Sequence, residues 1–485
     1  MGWRERISRV DTAWLRMDRP ENLMQILGVM IFKDRIDPER AKRTIAQRIV
    51  RYRRFRQIAT ADGNWWIDDD NFDIDAHVRR SHLPDPGGPA ELQKFVAQLA
   101  SKPLEPARPR WEFNLVDIAD GRSAVVLRIH HAIADGIALL GVIDWLTDEA
   151  KDSPESGRTA ARLDAQARND ELFRRPLGEP LGNLMLASIR FGGQLWGQYL
   201  GLRNDPMALR EYARVAATWT ADMGRLALMP DDCPTRFKGK AGTVKRVAWS
   251  EPIALANIKA VGKVLGCSVN DTLLAAVAGA LGNYLLAKGD PVANDTQIRA
   301  MVPVNLRAPD DTEDLGNRFG LVALDLPIGI ENPLARLYAT RTRMAALKGS
   351  YQAMVTFALL GAAGMAPKFF QDQILDLLTS KATAVMTNVP GPAQARCFAG
   401  SEIEQELVWV PQAGDIGMGV SILSYNGRVQ LGLITDANRV DDPERIIDRF
   451  AVEFDKLLWL VLLEPWERLA DPTAVERDLA ALATC

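Results

Sequence analysis

The sequence predicts an α/β protein in which one strand-and-helix layered arrangement is used twice. Three observations predict it. Strand-like apolar runs alternate with helical patterns on both sides of a long polar stretch, as in mixed sheets flanked by helices. The length of 485 residues favours two or more domains. Apolar residues make up 47% of the chain and charged residues 25%, enough to fill two cores under a polar surface. The boundaries that follow are a first block over 1–150, a linker with helical segments over 151–236, a second block over 237–470 and a tail over 471–485. No sequence repeat relates the blocks.

In the first block, Gln25–Phe32 and Ala124–Ile129 read as strands. Pro38–Tyr52 reads as a helix, with Asp37 as N-cap and Pro38 at its first position. Another helix is expected from near Gly136 through Ile137, Leu140, Ile143, Asp144 and Leu146, whose apolar members recur at helical spacing. Lys151–Asp170 is polar and reads as linker. Over 181–228 helical patterns return, with Arg190, Arg203, Arg210 and Arg214 among the apolar residues. They suit packing against the two blocks, or an apolar and basic face that touches lipid.

The second block starts near Phe237. Lys245–Trp249 reads as a strand, Ser250-Glu251-Pro252 as the opening of a helix to about Leu265, and Ser268 as the start of another through Ala287. Strands follow at Ile298–Val304, Leu321–Pro327 and Thr383–Thr387. Ser421–Ser424 and Val429–Ile434 flank Asn426-Gly427, a tight hairpin turn. Asp441-Asp442-Pro443 caps a final helix to about Leu460.

A net charge of −3 argues against general nucleic-acid binding. The four cysteines are scattered, form no CxxC, and suggest reduced thiols with no disulfide framework or zinc site. The N-terminus lacks the apolar core of a secretory signal. No apolar run reaches the roughly 18 residues a membrane span needs. A cytoplasmic protein is expected, free or peripheral on membrane or lipid inclusions.

The chemistry concentrates in His130-His131-Ala132-Ile133-Ala134-Asp135-Gly136. The chain has only four histidines, and two of them stand together directly after a strand. Adjacent side chains at a strand end diverge, so one can face a cavity while the other packs inward and holds the turn. Histidine is the side chain best suited to exchange a proton near neutral pH. No Cys, Glu or third His stands at metal-ligand spacing, so no metal is expected. His77 and His82 read as structural or exposed, and Trp65 and Trp66 as packing residues.

The pattern His-His-x-x-x-Asp-Gly resembles the active-site motif of the acyltransferase superfamily that includes chloramphenicol acetyltransferase, carnitine acyltransferases and peptide-synthetase condensation domains. Further segments, in order, resemble the bacterial wax ester synthase/diacylglycerol acyltransferase family: Val10–Met17, Pro103–Glu112, Ser268-Val269-Asn270-Asp271, Pro303–Arg307, Gly316-Asn317 and Thr387-Asn388-Val389-Pro390-Gly391-Pro392. The likeness spans roughly 8–460. Two departures stand out: Arg110 replaces the usual Leu, and Phe237–Gly242 lacks the usual Asn before its first Gly. Both bear on substrate preference.

The resemblance implies two chloramphenicol-acetyltransferase-like domains meeting at an active-site tunnel, with acyl-CoA entering from one side and a long-chain alcohol or diacylglycerol from the other. Acyl-CoA is then a substrate, and no cofactor is needed. It implies His131 as general base, with His130 holding the turn and Gly136 letting backbone or substrate approach closely. Asn270, Thr387 and Asn388 become candidates to stabilise the oxyanion, with Asp271 beside them. Asp135 either orients His131 or, as in superfamily relatives, pairs with an arginine of the N-terminal part, here Arg56 in Arg51–Arg56. With no Gly-x-Ser-x-Gly elbow and no Cys near a His, direct transfer is expected. Carrier-bound substrates, or a non-catalytic lipid-surface role, are the alternatives.

Overall fold

The computed structural model describes residues 4–134, 146–149, 221, 224–225, 228–306, 319–347, 350, 352–365, 373 and 379–482. The expected helix from Gly136, the linker, nearly all of the 181–228 patterns, Arg307 and Gly316-Asn317 lie outside these residues.

The first half contains β1 (Arg4–Arg6), α1 (Arg9–Met17), β2 (Gln25–Phe32), α2 (Pro38–Arg48), β3 (Gln57–Ala59), β4 (Trp65–Asp68), β5 (Val78–His82), α3 (Pro89–Ala100), β6 (Trp111–Asp117) and β7 (Ser123–His130). The second contains β8 (Lys245–Trp249), β9 (Ile253–Ala254), α4 (Leu255–Val264), α5 (Val269–Ala287), β10 (Ile298–Asn305), β11 (Phe319–Leu326), α6 (Pro333–Leu347), α7 (Gln352–Met365), β12 (Ala384–Pro390), β13 (Cys397–Phe398), β14 (Ser401–Trp409), β15 (Met418–Tyr425), β16 (Arg428–Asp436), α8 (Glu444–Leu463) and α9 (Pro472–Leu482). This is the mixed α/β architecture expected.

Two mixed sheets organise it. One has the order β13-β14-β2-β7-β6-β5, the other β11-β10-β12-β15-β16-β8, with β9 attached to β16. A small β1-β4-β3 sheet lies beside the first. The second half thus donates β13 and β14 to the first half's sheet, an exchange that boundaries at 150 and 237 do not anticipate. Both β2 and β7 are buried along all eight residues. That explains why they read as continuous apolar runs rather than alternating ones.

Local chemistry accounts for most ends. Asp37 accepts the Glu39 and Arg40 N–H groups and starts α2 at Pro38. The helix stops at Arg48, short of Tyr52, because the chain turns into a short 3-10 segment at Arg53–Arg56. Asn426 and Gly427 take φ of 47° and 72°, the left-handed pair that a tight hairpin requires. Two expectations are corrected. Ser250-Glu251-Pro252 opens no helix: Ile253 and Ala254 first pair with Val429 and Arg428, and α4 begins at Leu255. The helix after Pro443 is not the last, since Asp471 caps α9 by accepting the Thr473 N–H at 3.0 Å.

Among the described residues no single helix is long and apolar enough to cross a membrane. α4 and α5 pass that test only as a pair bent by 99°, and α5 is a core helix packed among α4, α6 and α8.

The edge strand β11 is closed by α7. Thr356 Oγ1 accepts the Leu321 N–H at 2.7 Å, and Gln352 Oε1 accepts the Ala323 N–H at 3.1 Å. Such cover removes the free backbone groups of an edge. Gly320 permits the approach, because a Cβ there would collide with the Ala353 carbonyl oxygen. Gly320→Ala is expected to cost about 1–3 kcal/mol through overpacking, read as a lower urea midpoint; an unchanged midpoint would show that α7 is free to shift.

Candidate active site

β7 runs between β2 and β6, with His130 opposite Gln25 and Ile129 opposite Trp111. The strand ends at His130 and the chain turns, the Ile133 N–H donating to the His130 carbonyl at 2.9 Å. Both histidine N–H groups are anchored outside the turn. His130 donates to the Arg110 carbonyl at 2.9 Å, and His131 to the Met24 carbonyl at 2.7 Å.

The two rings do different things. His130 Nδ1 accepts the Ala132 N–H at 3.1 Å. A neutral imidazole that accepts at one nitrogen carries its proton on the other, so the His130 proton sits on Nε2. That atom lies 3.5 Å from Asp18 Oδ2. Burial holds the His130 pKa below its ordinary value, against the pull of Asp18. His130 Nδ1 thus meets a backbone donor of its own turn, and Nε2 faces the Asp18 carboxylate.

Asp18 meets more than His130. Its Oδ1 accepts the Met24 N–H at 2.9 Å, and its Oδ2 lies 3.1 Å from Arg110 Nη1. Burial opposes the ionised carboxyl, but the contacts with His130, Met24 and Arg110 outweigh it and hold the pKa below the usual range. Arg110, the departure from the usual Leu, is therefore the charge partner of this carboxylate. Burial lowers the Arg110 pKa, and Asp18 and Glu105 oppose that.

The His131 ring is buried and stacks on Trp14 with centroids 4.3 Å apart and planes at 20°. Phe319 closes on it from the second half at 5.5 Å, and also meets Trp14 at 6.0 Å. Ser8 starts the helix that carries Trp14, its side chain accepting the Asp11 N–H at 3.1 Å. Phe319 begins β11 opposite Asn305. α1 also packs on α7. His131 thus lies where the two halves meet.

A second polar pair comes from the second half. Asn388 Nδ2 donates to Asn270 Oδ1 at 2.7 Å, joining two of the sequence candidates. Asn270 does not cap its helix. Ser268 and Asp271 do so reciprocally, at 3.1 and 2.8 Å, which gives Asp271 a structural task. Thr387 is buried, its hydroxyl toward the Val420 carbonyl at 3.4 Å. Arg56 is exposed at the end of its 3-10 segment. Asp135 and Gly136, and with them the Asp135–Arg56 pair, lie outside the described residues.

His77 is structural. It stacks on Trp111 at 4.3 Å, and its Nδ1 donates to the Trp111 carbonyl at 2.8 Å. His82 is exposed on β5. Trp65 and Trp66 pack beneath Arg4 and Arg54 at 4.6 and 4.4 Å. Trp14, Asp18, Met24 and Phe319 escape sequence reasoning as site residues. For Trp14 the one available signal was its place in the opening motif.

A cleft of about 1120 Å³ opens beside the turn, lined by Leu15, Asp18, Ile58, Ile67, Ala107 and Arg110 among others. Its size suits a large organic molecule.

Two sequence profiles match the chain: that of the wax ester synthase/diacylglycerol acyltransferase catalytic domain over residues 7–273, and that of the corresponding C-terminal domain over 315–458. Two Mycobacterium tuberculosis proteins, each named a probable diacylglycerol O-acyltransferase, are 26% identical. One aligns over 79% of this chain and 78% of its own length, the other over 90% and 95%. The fold is similar to the wax ester synthase/diacylglycerol acyltransferase of Marinobacter aquaeolei, with TM-score 0.66 and 20% identity over 95% of this chain and all of that one. It is also similar to the first condensation domain of the calcium-dependent antibiotic synthetase, with TM-score 0.56 and 14% identity over 97% of each chain.

Burial lowers the pKa of both His77 and His130. The unfolded chain therefore binds protons on these rings at a pH where the folded protein does not. Their contribution is full above the unfolded value of about 6.5 and falls as pH drops through it. The melting temperature should decline from about pH 7.5 to about pH 5.5, and His77→Phe should flatten the slope whatever its offset. An unaltered slope in that variant would remove His77 from the linkage.

Proposed function

Because the chain belongs to the wax ester synthase/diacylglycerol acyltransferase family, we propose that it transfers a long-chain acyl group from CoA to a fatty alcohol or diacylglycerol, with His131 as general base. The observation that carries this reading is the seat of the His131 ring, buried between Trp14 of one half and Phe319 of the other. His130 is unsuited to the task, since accepting a proton at Nδ1 would cost it the Ala132 N–H.

The chemistry runs in one step of attack and one of collapse. His131 takes the proton of the acceptor hydroxyl as its oxygen bonds to the thioester carbonyl carbon. The tetrahedral intermediate then expels the CoA thiolate, and His131 returns the proton to that sulfur. An alcohol is a poor nucleophile at neutral pH, and a positioned base supplies about 10²–10⁴-fold. Holding both substrates in line at the junction of the halves supplies more. Asn388 and Asn270 are the candidates to meet the developing oxyanion. One Asn388 N–H is engaged by Asn270, and an amide has a second to offer.

This scheme needs no covalent acyl-enzyme and no cofactor. A tunnel between the halves would bring acyl-CoA and acceptor to the ring from opposite sides. Because the acceptors are water-insoluble, the reading extends to a cytoplasmic protein peripheral on membrane or lipid inclusions. The 1120 Å³ cleft beside the turn adds room for one of these long substrates.

Two outcomes check the reading. Purified protein given labelled palmitoyl-CoA with hexadecanol or a diacylglycerol should form labelled ester, reduced about 10²–10⁴-fold in His131→Ala. Equal ester from both proteins would remove His131 from the mechanism, and no ester with either acceptor would reject both as substrates. Asn388→Ala should lower kcat about 10²-fold with little change in KM, the mark of a transition-state contact. A change confined to KM would make Asn388 a binding residue.

A further inference from the structure

Acyl transfer by His131 leaves one carboxylate near the site without an assigned task. Asp18 directly follows α1, the helix that also carries Trp14. Its Oδ1 accepts the Met24 N–H at 2.9 Å, and the Met24 carbonyl accepts the His131 N–H at 2.7 Å. Its Oδ2 lies 3.1 Å from Arg110 Nη1 and 3.5 Å from His130 Nε2. The Arg110 carbonyl closes the circuit by accepting the His130 N–H at 2.9 Å. Both backbone N–H groups of the histidine pair are thus held by residues that also contact Asp18.

We propose that Asp18 is the positioning residue of the histidine pair, one carboxylate that sets the seat of His131 through Met24 and the ring of His130 through Nε2, with Arg110 as its charge partner. The position requires a carboxylate. One oxygen faces a backbone donor and the other faces two side-chain donors. An amide has a single acceptor oxygen, so asparagine can serve one side and must set its own N–H groups against the donors on the other. Glutamate keeps both oxygens but moves them by one methylene.

The inference rests on the acyl-transfer reading for its kinetic test and on geometry alone for its spectroscopic one. The kinetic test compares wild type, Asp18→Asn and Asp18→Glu at saturating palmitoyl-CoA and hexadecanol. A displacement of about 1 Å in a reacting group can cost about 10²-fold. Asp18→Asn is therefore expected to lower kcat about 10–100-fold with both KM values within about twofold, and Asp18→Glu to recover part of the loss. The spectroscopic test labels the histidines with ¹⁵N and assigns the four rings by single His→Gln variants. Asp18→Asn should move the ring signals of His130 and His131 and leave those of His77 and His82 in place. Circular dichroism checks that each variant is folded, and if Asp18→Asn does not fold, Asp18→Glu carries both readouts. Unmoved signals at both positions, a wild-type kcat in a folded variant, or a change confined to KM would each overturn the proposal. Should wild type make no ester, the acyl-transfer reading fails, while the ring signals still decide the role of Asp18.

Discussion

The backbone ladder between β14 and β2 is the contact on which the rest depends. It joins residues 403–409 of the second half to 27–32 of the first. Because side chains alternate along β2, this strand serves two cores at once. Leu27, Val29 and Ile31 pack with Leu407, Trp409 and residues of α3. Ile26, Met30 and Phe32 pack in a cluster that also takes Phe319, Leu360, Leu423 and Tyr425 from the second half. A slip of one residue would exchange the two sets. Tyr425 steadies the crossover, accepting the Arg396 N–H at 2.7 Å and donating to the Ile403 carbonyl at 3.0 Å.

Around the end of β7 the charges obey one constraint. Buried ions are tolerated when they are paired and hydrogen-bonded. Arg128, two residues before His130, pairs with Glu112 at 3.0 Å and donates to the Leu99 and Lys102 carbonyls at 3.0 and 2.6 Å, near the end of α3. Burial lowers its pKa, and Glu112 opposes that. Asp18 and Arg110 repeat the arrangement one step along the chain, at the turn itself. The first pair ties the strand to β6, and the second braces the Arg110 whose carbonyl holds the His130 N–H. The strand that carries the histidines is therefore fixed by side chains as well as by its two ladders, which suits a group that must meet a reacting atom within a fraction of an ångström.

Much of this was legible in the sequence because its signals are local. β8 falls on Lys245–Trp249, where apolar periodicity put it, and the Asn-Gly turn, the Asp37 cap and the Ser268 helix start follow from the chemistry of one or two residues. The histidine pair was legible for the same reason. What was missed depends on partners far along the chain. β14 reads Ser-Glu-Ile-Glu-Gln-Glu-Leu-Val-Trp, a polar stretch that becomes a strand because β2 offers it a buried ladder. Asp18 sits among Arg, Pro, Glu and Asn and reads as a loop acid; its charge partner lies 92 residues away. The partner of Asn270 is also distant in sequence: Ser268 and Asp271 satisfy one another at the helix start, and Asn270 meets Asn388, 118 residues away. The α2 end was overextended because the residues after Arg48 keep a helical composition while the chain turns.

The sequence presents two histidines as equivalents, and a single backbone group separates them. The Ala132 N–H points into His130 Nδ1 and fixes which nitrogen of that ring carries its proton. Protonating Nδ1 would break that bond and place a cation in a buried site already facing Arg110, whose charge lowers the His130 pKa further. Burial, the Ala132 N–H and Arg110 therefore all work against a charge on the first histidine. Its neighbour, turned away by the change of direction after β7, stacks on Trp14, with Phe319 tilted against it from the second half. That difference in how the rings are held supports the proposal that His130 has the structural task and His131 the proton transfer.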